Sequence, residues 1–297
     1  MLLFAALLTA GSLLAASPES GISHIACSAC DEWNVAREPF RVYGNTWYVG
    51  TRGLSAILVT SDEGHVLIDG ALPQSAPLIR DNIETLGFRI EDVKLILNSH
   101  VHFDHAAGIA QLQRWSGASV AASPRAATVL ESGESGPDDP QYGELIPFEP
   151  VKNVRKIADG DILRVGALAL QAHFTPGHTP GGTSWSWRSC EGERCLDVVY
   201  ADSLTPISAD GFRFSGSESY PSAVEDFERS FSTLESLPCS VLLAPHPFAI
   251  GLFDSLAARE KGQADALIDA GGCRRYVEKA RQWLAQRLER ERTKAEQ

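Results

Sequence analysis

Apolar residues fall in short blocks along most of this chain, and glycine- or proline-containing breaks separate them. Thr46 to Val49, Ala56 to Thr60 and Val66 to Asp69 have the length and the branched or aromatic content of strands. Pro73 to Leu86 carries apolar residues at helical spacing. Val93 to Asn98 is an apolar run of strand length, and Ala106 to Trp115 predicts a helix leading to a strand from Ala118 to Ala122. Strands dominate from Val154 to Trp187. Val198 to Ala201 follows as a strand, Ser222 to Leu237 as a helix and Val241 to Ala244 as a strand. Beyond Arg274, the positions Tyr276, Val277, Ala280, Leu284 and Leu288 predict a packed surface helix with a frayed end, to which no catalytic role is assigned. The alternation is that of an α/β chain in two similar halves, although no sequence repeat is strong enough to establish a duplication.

The N-terminus reads M-L-L-F-A-A-L-L-T-A-G-S-L-L-A-A-S, too short for a comfortable membrane span and of the length of an export signal. No Lys or Arg precedes its apolar part, so only the terminal amine supplies the usual positive charge. Residues 1–16 are therefore expected to be a cleaved signal, 17–41 an extension and 42–297 a single domain. That organisation predicts a periplasmic or secreted protein with no stable membrane association once the signal is removed.

Composition changes this picture little. Over 297 residues, 44% are hydrophobic and 22% charged, which is ordinary for a globular chain. The net charge of −12 argues against a nucleic-acid partner, since binding a phosphate backbone demands basic clusters. No conspicuous apolar surface stripe is visible, which favours a monomer. The six cysteines suit an oxidising compartment. Cys190 and Cys195 flank E-G-E-R between two strand-like runs, so a hairpin would bring them together. Cys27 and Cys30, in C-S-A-C, form a local disulfide or leave one thiol free.

Candidate chemistry is concentrated after the Val93 to Asn98 strand, where Ser99 to Gly108 reads S-H-V-H-F-D-H-A-A-G. Alternation sends His100 and His102 from the strand end toward one side, while Asp104 and His105 enter the following turn. Neutral imidazole and carboxylate suit Zn²⁺, and a catalytic zinc takes about three protein ligands plus an open position for water. Four ligand-type side chains exceed the need of one ion, so two neighbouring sites are expected and further ligands must come from elsewhere.

Two more histidines occupy equivalent settings, on loops just after apolar strands. His178 lies in F-T-P-G-H-T-P-G-G, and His246 in L-L-A-P-H-P after Val241-Leu242-Leu243. The others serve as controls: His24 precedes the core, His65 sits in the E-G-H turn between two strands, and His173 is inside a strand and reads as structural.

H-x-H-x-D-H, the later Gly-His loop, Y-A-D-S-L-T and the final strand-Pro-His together resemble the metallo-β-lactamase fold family, from about Val42 to the C-terminus. The pattern is most similar to the class B β-lactamases of subclass three, as are T-P-G-H-T-P-G-G-T-S-W, D-P-Q-Y and the cysteine placements. The resemblance implies a four-layer αβ/βα sandwich and two Zn²⁺ ions, one held by His100, His102 and His178, the other by Asp104, His105 and His246. It also implies a Cys239–Cys273 cross-link. Ser203 falls where the other subclasses place a cysteine ligand, and serine there is expected to support water or substrate instead.

The activity so implied is hydrolysis of β-lactam antibiotics, carbapenems included, by a metal-bound hydroxide that Asp104 orients. Ser203 and Thr205 are candidates to hydrogen-bond the substrate carboxylate. Gln141 and Tyr142, after the turn-rich G-P-D-D-P, are expected on a mobile lid. One alternative is a glyoxalase-II-like thioesterase or a lactonase on the same fold; those enzymes use a bridging aspartate in a G-D-x-L context, so A-D-S-L leaves Asp202 open as a bridging ligand. Another is a zinc-dependent binding protein, although structural zinc sites are usually closed and cysteine-rich.

Overall fold

The computed structural model describes residues 22–295, so the expected signal segment and the start of the extension lie outside the described residues. The chain begins with a single turn of helix, α1 (Cys30–Trp33), and then enters a meander of β1 (Phe40–Tyr43), β2 (Thr46–Tyr48), β3 (Ile57–Val59) and β4 (His65–Ile68). Two crossovers follow, through α2 (Ala76–Thr85) to β5 (Val93–Leu97), and through α3 (Phe103–Ala106) and α4 (Ile109–Ser116) to β6 (Ser119–Ala122). Helix α5 (Pro124–Ser132) precedes β7 (Val154–Lys156), which completes a seven-stranded sheet in the order β1 to β7. β4 to β7 are parallel, as helical crossovers require.

The second half is a meander of β8 (Ile162–Val165), β9 (Leu168–Phe174), β10 (Thr183–Glu191) and β11 (Arg194–Tyr200), followed by α6 (Ala223–Ser236), β12 (Val241–Leu243), α7 (Leu252–Glu260) and α8 (Gly272–Ala295). Its five strands run in the order β12-β11-β10-β9-β8, with β12 parallel to β11.

Side-chain alternation builds the layers. In the first sheet Ile57, Val59, Val66, Ile68, Leu95 and Leu97 face Leu170, Trp185, Val198, Tyr200 and Leu243 of the second. The intervening Leu58, Leu67 and Ile96 turn outward onto Ile79 and Ile83 of α2, Leu112 of α4 and Leu130 of α5. On the opposite side Val199 meets Phe227, Phe231 and Leu234 of α6 and Val277, Ala280 and Leu284 of α8. Helix, sheet, sheet, helix: this is the expected four-layer α/β sandwich.

Three local expectations need correction. Asp104 and His105 lie on the helical turn α3 instead of an open turn, and the helix expected from Ala106 is broken before Ile109. The break is a tertiary contact. Gly108 packs so closely on Gly70 that a Cβ would lie 2.1 Å from the Gly70 carbonyl oxygen, while Gly108 N–H donates to Ala71 O at 3.0 Å. His65 is the first residue of β4, packed edge-on against Phe88, and not a turn residue. Helix α5, absent from the sequence reading, has a recognisable start and stop: the Ser123 hydroxyl accepts from Ala126 N–H at 3.3 Å, Pro124 opens the helix, and Gly133 ends it at φ 77°.

Candidate metal centre

The C-terminal ends of β4, β5, β11 and β12 and the β9–β10 loop converge at one edge of the sandwich. The segment after β5 supplies His100 and His102, α3 Asp104 and His105, the β9–β10 loop His178, and the segment after β12 His246. They form two groups, His100 with His102 and His178, and Asp104 with His105 and His246; within each, one ligand-type atom per residue lies within 4.8 Å of the others. In the second group the Asp104 carboxylate is 3.1 Å from His105 Nε2 and 3.4 Å from His246 Nε2. The groups adjoin, since the rings of His100 and His105 are centred 4.4 Å apart.

Each imidazole but one is fixed from behind through a single ring nitrogen. Nδ1 of His100 meets Asp202 Oδ1 at 2.8 Å, and Nε2 of His102 meets both Asp139 oxygens at 3.2 Å. Nδ1 of His178 donates to the Thr205 carbonyl at 2.7 Å, and Nδ1 of His246 to the Gly53 carbonyl at 3.2 Å. The other nitrogen is thereby left as a lone-pair donor toward the cluster, the arrangement that metal-ligating histidines use. His105 Nδ1 is the exception, buried without a hydrogen-bond partner.

The electrostatics favour cation binding. Burial pushes the His100 imidazole well below its ordinary pKa, with the neighbouring His105, His102 and His178 adding to the effect. Burial and His102 take His178 down to about 3. Both rings are therefore neutral and able to coordinate at ordinary pH. Burial alone would raise Asp104, but the charges and hydrogen bonds of His105 and His246 hold it well below the usual carboxylate range.

The loop carrying His100 is itself braced. Asp69, buried at the end of β4 with φ 63°, accepts from Ser99 N–H, the Ser99 hydroxyl and the Tyr200 hydroxyl, each at 2.7 Å, and from Asn98 at 3.3 Å. Such a backbone conformation is costly outside glycine and persists because its surroundings over-determine it.

Of the remaining candidates, Ser203 is buried beside Asp202, and Thr205 approaches His178 with both its carbonyl and its hydroxyl, the latter at 3.2 Å. Gln141 Nε2 is 3.4 Å from His102 Nδ1, and Tyr142 is exposed. Asp202 belongs to neither ligand group. His173 lies outside both, hydrogen-bonded to Ser186 at 2.8 Å across β9 and β10. Cys190 is bonded to Cys195, Cys239 to Cys273, and Cys27 to Cys30, which leaves no free thiol.

The residue pattern matches the sequence profile of the Metallo-beta-lactamase superfamily over residues 49–246. The chain belongs to that superfamily. Among solved structures, it is similar to the Rm3 metallo-β-lactamase, with 57% identity, a TM-score of 0.89, and coverage of 90% of this chain and 100% of the other. It is also similar to MEM-A1, a subclass B3 metallo-β-lactamase isolated from a soil metagenome library, with 50% identity, a TM-score of 0.86, and coverage of 88% and 99%. Within the superfamily the chain thus groups with the subclass B3 metallo-β-lactamases. More remote members include an N-acyl homoserine lactonase from Bacillus cereus, 29% identical over 152 residues that cover 43% of this chain and 55% of that protein. A hydroxyacylglutathione hydrolase from Bradyrhizobium is 26% identical over 130 residues covering 43% and 41%. The chain spans about half or less of the length of these curated relatives.

Sequence reasoning named the six clustered side chains but not Asp139, Asp69 or the Thr205 and Gly53 carbonyls. A buried acid in G-P-D-D-P looks like any turn residue, and a carbonyl has no sequence signature.

Proposed function

We propose that this protein is an exported β-lactamase that hydrolyses the cyclic amide of β-lactam antibiotics with two Zn²⁺ ions. The observation that carries the reading is the pair of adjoining triads, with four of their five imidazoles anchored from behind and no thiolate among the donors. His100, His102 and His178 would hold one ion, and Asp104, His105 and His246 the other. Bound there, such ions lower the pKa of water toward neutrality and polarise a carbonyl oxygen.

The protein's own groups do the positioning. Asp104, kept ionised by its histidine neighbours, accepts a hydrogen bond from the attacking water and fixes its direction. Asp202 and Asp139 keep His100 and His102 in one tautomer. Thr205, against His178, and Ser203, next to Asp202, donate to the carboxylate that β-lactams carry. Gln141, against His102, closes the site from the 136–145 segment. Ala209 N–H donates to Pro140 O at 2.9 Å, which ties that segment to the Ser203–Thr205 loop and makes it a braced wall.

The thioesterase or lactonase alternative is weakened by Asp202, whose engagement with His100 suits an orienting acid rather than a bridging one. The three disulfides are consistent with a secreted or periplasmic protein. Nitrocefin hydrolysis by the purified protein, with and without a chelator, tests the function.

A further inference from the structure

Between β11 and α6 the chain runs from Ala201 to Ser222 without a helix or strand. Ser203 and Thr205 lie on this segment, so whatever fixes the segment fixes the wall assigned above to the substrate carboxylate. Loops of this length with no secondary structure of their own are uncommon in a compact domain, and their backbone groups need partners from elsewhere. Several of those partners come from α8, the helix whose sequence pointed only to packing.

Arg287 and Glu291, one turn apart near the end of α8, grip the 208–215 stretch. Glu291 is buried, and its carboxylate accepts from Phe214 N–H at 3.0 Å and from Ser215 N–H at 2.9 Å. Arg287 Nε donates to the same carboxylate at 2.7 Å, while its Nη2 donates to Phe212 O at 2.8 Å and to the Ser208 hydroxyl at 2.7 Å. Arg213 Nη2 donates back to the Glu291 carbonyl at 3.1 Å. Burial alone would raise the pKa of Glu291, but Arg287 and the N–H groups of Ser215 and Phe214 hold it below the usual carboxylate range. A buried carboxylate is costly unless its charge and lone pairs are met, and both backbone donors that meet this one belong to the loop.

Near the start of α8, the buried Tyr276 hydroxyl donates to Asp202 O at 3.0 Å. One helix therefore holds the segment at two places, and Ser203 and Thr205 lie between them in the chain. From the gripped stretch the contacts continue to the 136–145 segment, which carries Asp139 and Gln141. Ala209 N–H donates to Pro140 O at 2.9 Å, and Asp210 N–H to Glu144 Oε1 at 3.3 Å.

We propose that Arg287 and Glu291 are positioning residues for substrate binding: as one unit, they set the place of the Ser203–Thr205 wall and of the 136–145 segment that leans on it. For the identity of the substrate this rests on the β-lactamase reading above; for the placement of the loop it does not.

Glu291→Gln tests the proposal, since an amide of the same shape has a single acceptor oxygen and turns an N–H toward one of the two loop donors. In hydrogen exchange, the amides of Ala209 and Asp210, whose acceptors are not on α8, exchange faster in the variant. KM for benzylpenicillin rises about tenfold with kcat within about twofold of wild type, because the loss is one of ground-state anchoring. Zinc content is retained. Arg281→Ala, which breaks the 2.8 Å contact of α8 with Glu235 of α6 and leaves the loop untouched, changes neither exchange nor KM. If Glu291→Gln does not fold, Arg287→Lys takes its place: an ammonium keeps the charge beside Glu291 but does not span Glu291, Phe212 and Ser208 together, and the same two changes are expected. An unchanged KM overturns the proposal, as does exchange that quickens at Phe214 and Ser215 alone, or a fall in kcat accompanied by loss of zinc. The exchange measurement needs no substrate. In a protein inert toward β-lactams the substrate reading fails, and exchange at Ala209 and Asp210 still decides whether the pair places the loop.

Discussion

Asp202 meets His100 at Nδ1, 2.8 Å away, with both side chains buried. The two residues are 102 positions apart in the chain, at the ends of β5 and β11, so the contact joins the two halves of the sandwich behind the candidate metal centre. An aspartate placed there fixes the orientation of a candidate ligand and itself belongs to neither ligand group.

Asp202→Asn should therefore keep a metal at Asp104, His105 and His246 while weakening the His100 triad, with affinity or activity falling roughly 10- to 100-fold. Metal stoichiometry of the purified variant, titrated beside wild type, checks this; loss of both ions at once would mean that Asp202 bridges them.

His178→Ala and His246→Ala should each remove one ion and leave the other site partly occupied. His173→Ala should lower Tm, by breaking the contact with Ser186, without lowering metal content. Elemental analysis and thermal melts of the three proteins separate ligand from decoy.

The contrast between His178 and Asp139 shows what was legible in the sequence. His178 could be found because its signal is local: an imidazole in a Gly-Pro loop directly after an apolar strand. Asp139 acts on His102 across 37 positions, and nothing near it in sequence distinguishes a buried acid from a solvated turn. The fold divides similarly. Strands buried on both faces, such as β3, announce themselves as continuous apolar runs, whereas the break between α3 and α4 depends on Gly108 touching Gly70, a contact that helical periodicity does not encode. The Ser123-Pro124 start and the Gly133 stop of α5 are local signals, but the helix between them has only nine residues, with small Ala126 and Ala127 among its buried positions, so its apolar stripe is weak.

Protonation of His178 links acidity to the stability of the metal-stripped protein. Its pKa is about 3 in the fold against 6.5 as an ordinary histidine, so below pH 6.5 the unfolded chain takes up a proton that the native ring refuses. The native state is penalised as pH falls through that window and unpenalised above it. His178→Gln should accordingly gain Tm relative to wild type between pH 7 and pH 5, in chelator. A constant difference in Tm between the two proteins would refute the assignment.

The Cys239–Cys273 bond ties the segment before β12 to the first turn of α8, across a separation of 34 residues. The chain-entropy model values such a loop at about 4 kcal/mol. Replacing both cysteines with serine should lower unfolding free energy by up to that amount in denaturant titration, with metal content retained.

The most direct test of the central claim follows β-lactam hydrolysis through a cycle of zinc removal and return. Purified protein should hydrolyse nitrocefin and a carbapenem, lose the activity in chelator, and regain it at two zinc equivalents, with no covalent adduct on any Ser or Cys during turnover, because the mechanism has no protein nucleophile. Hydrolysis that survives complete zinc removal would contradict the account, as would a trapped acyl-enzyme or a zinc-loaded protein inert to β-lactams yet active on a thioester or an acyl-homoserine lactone.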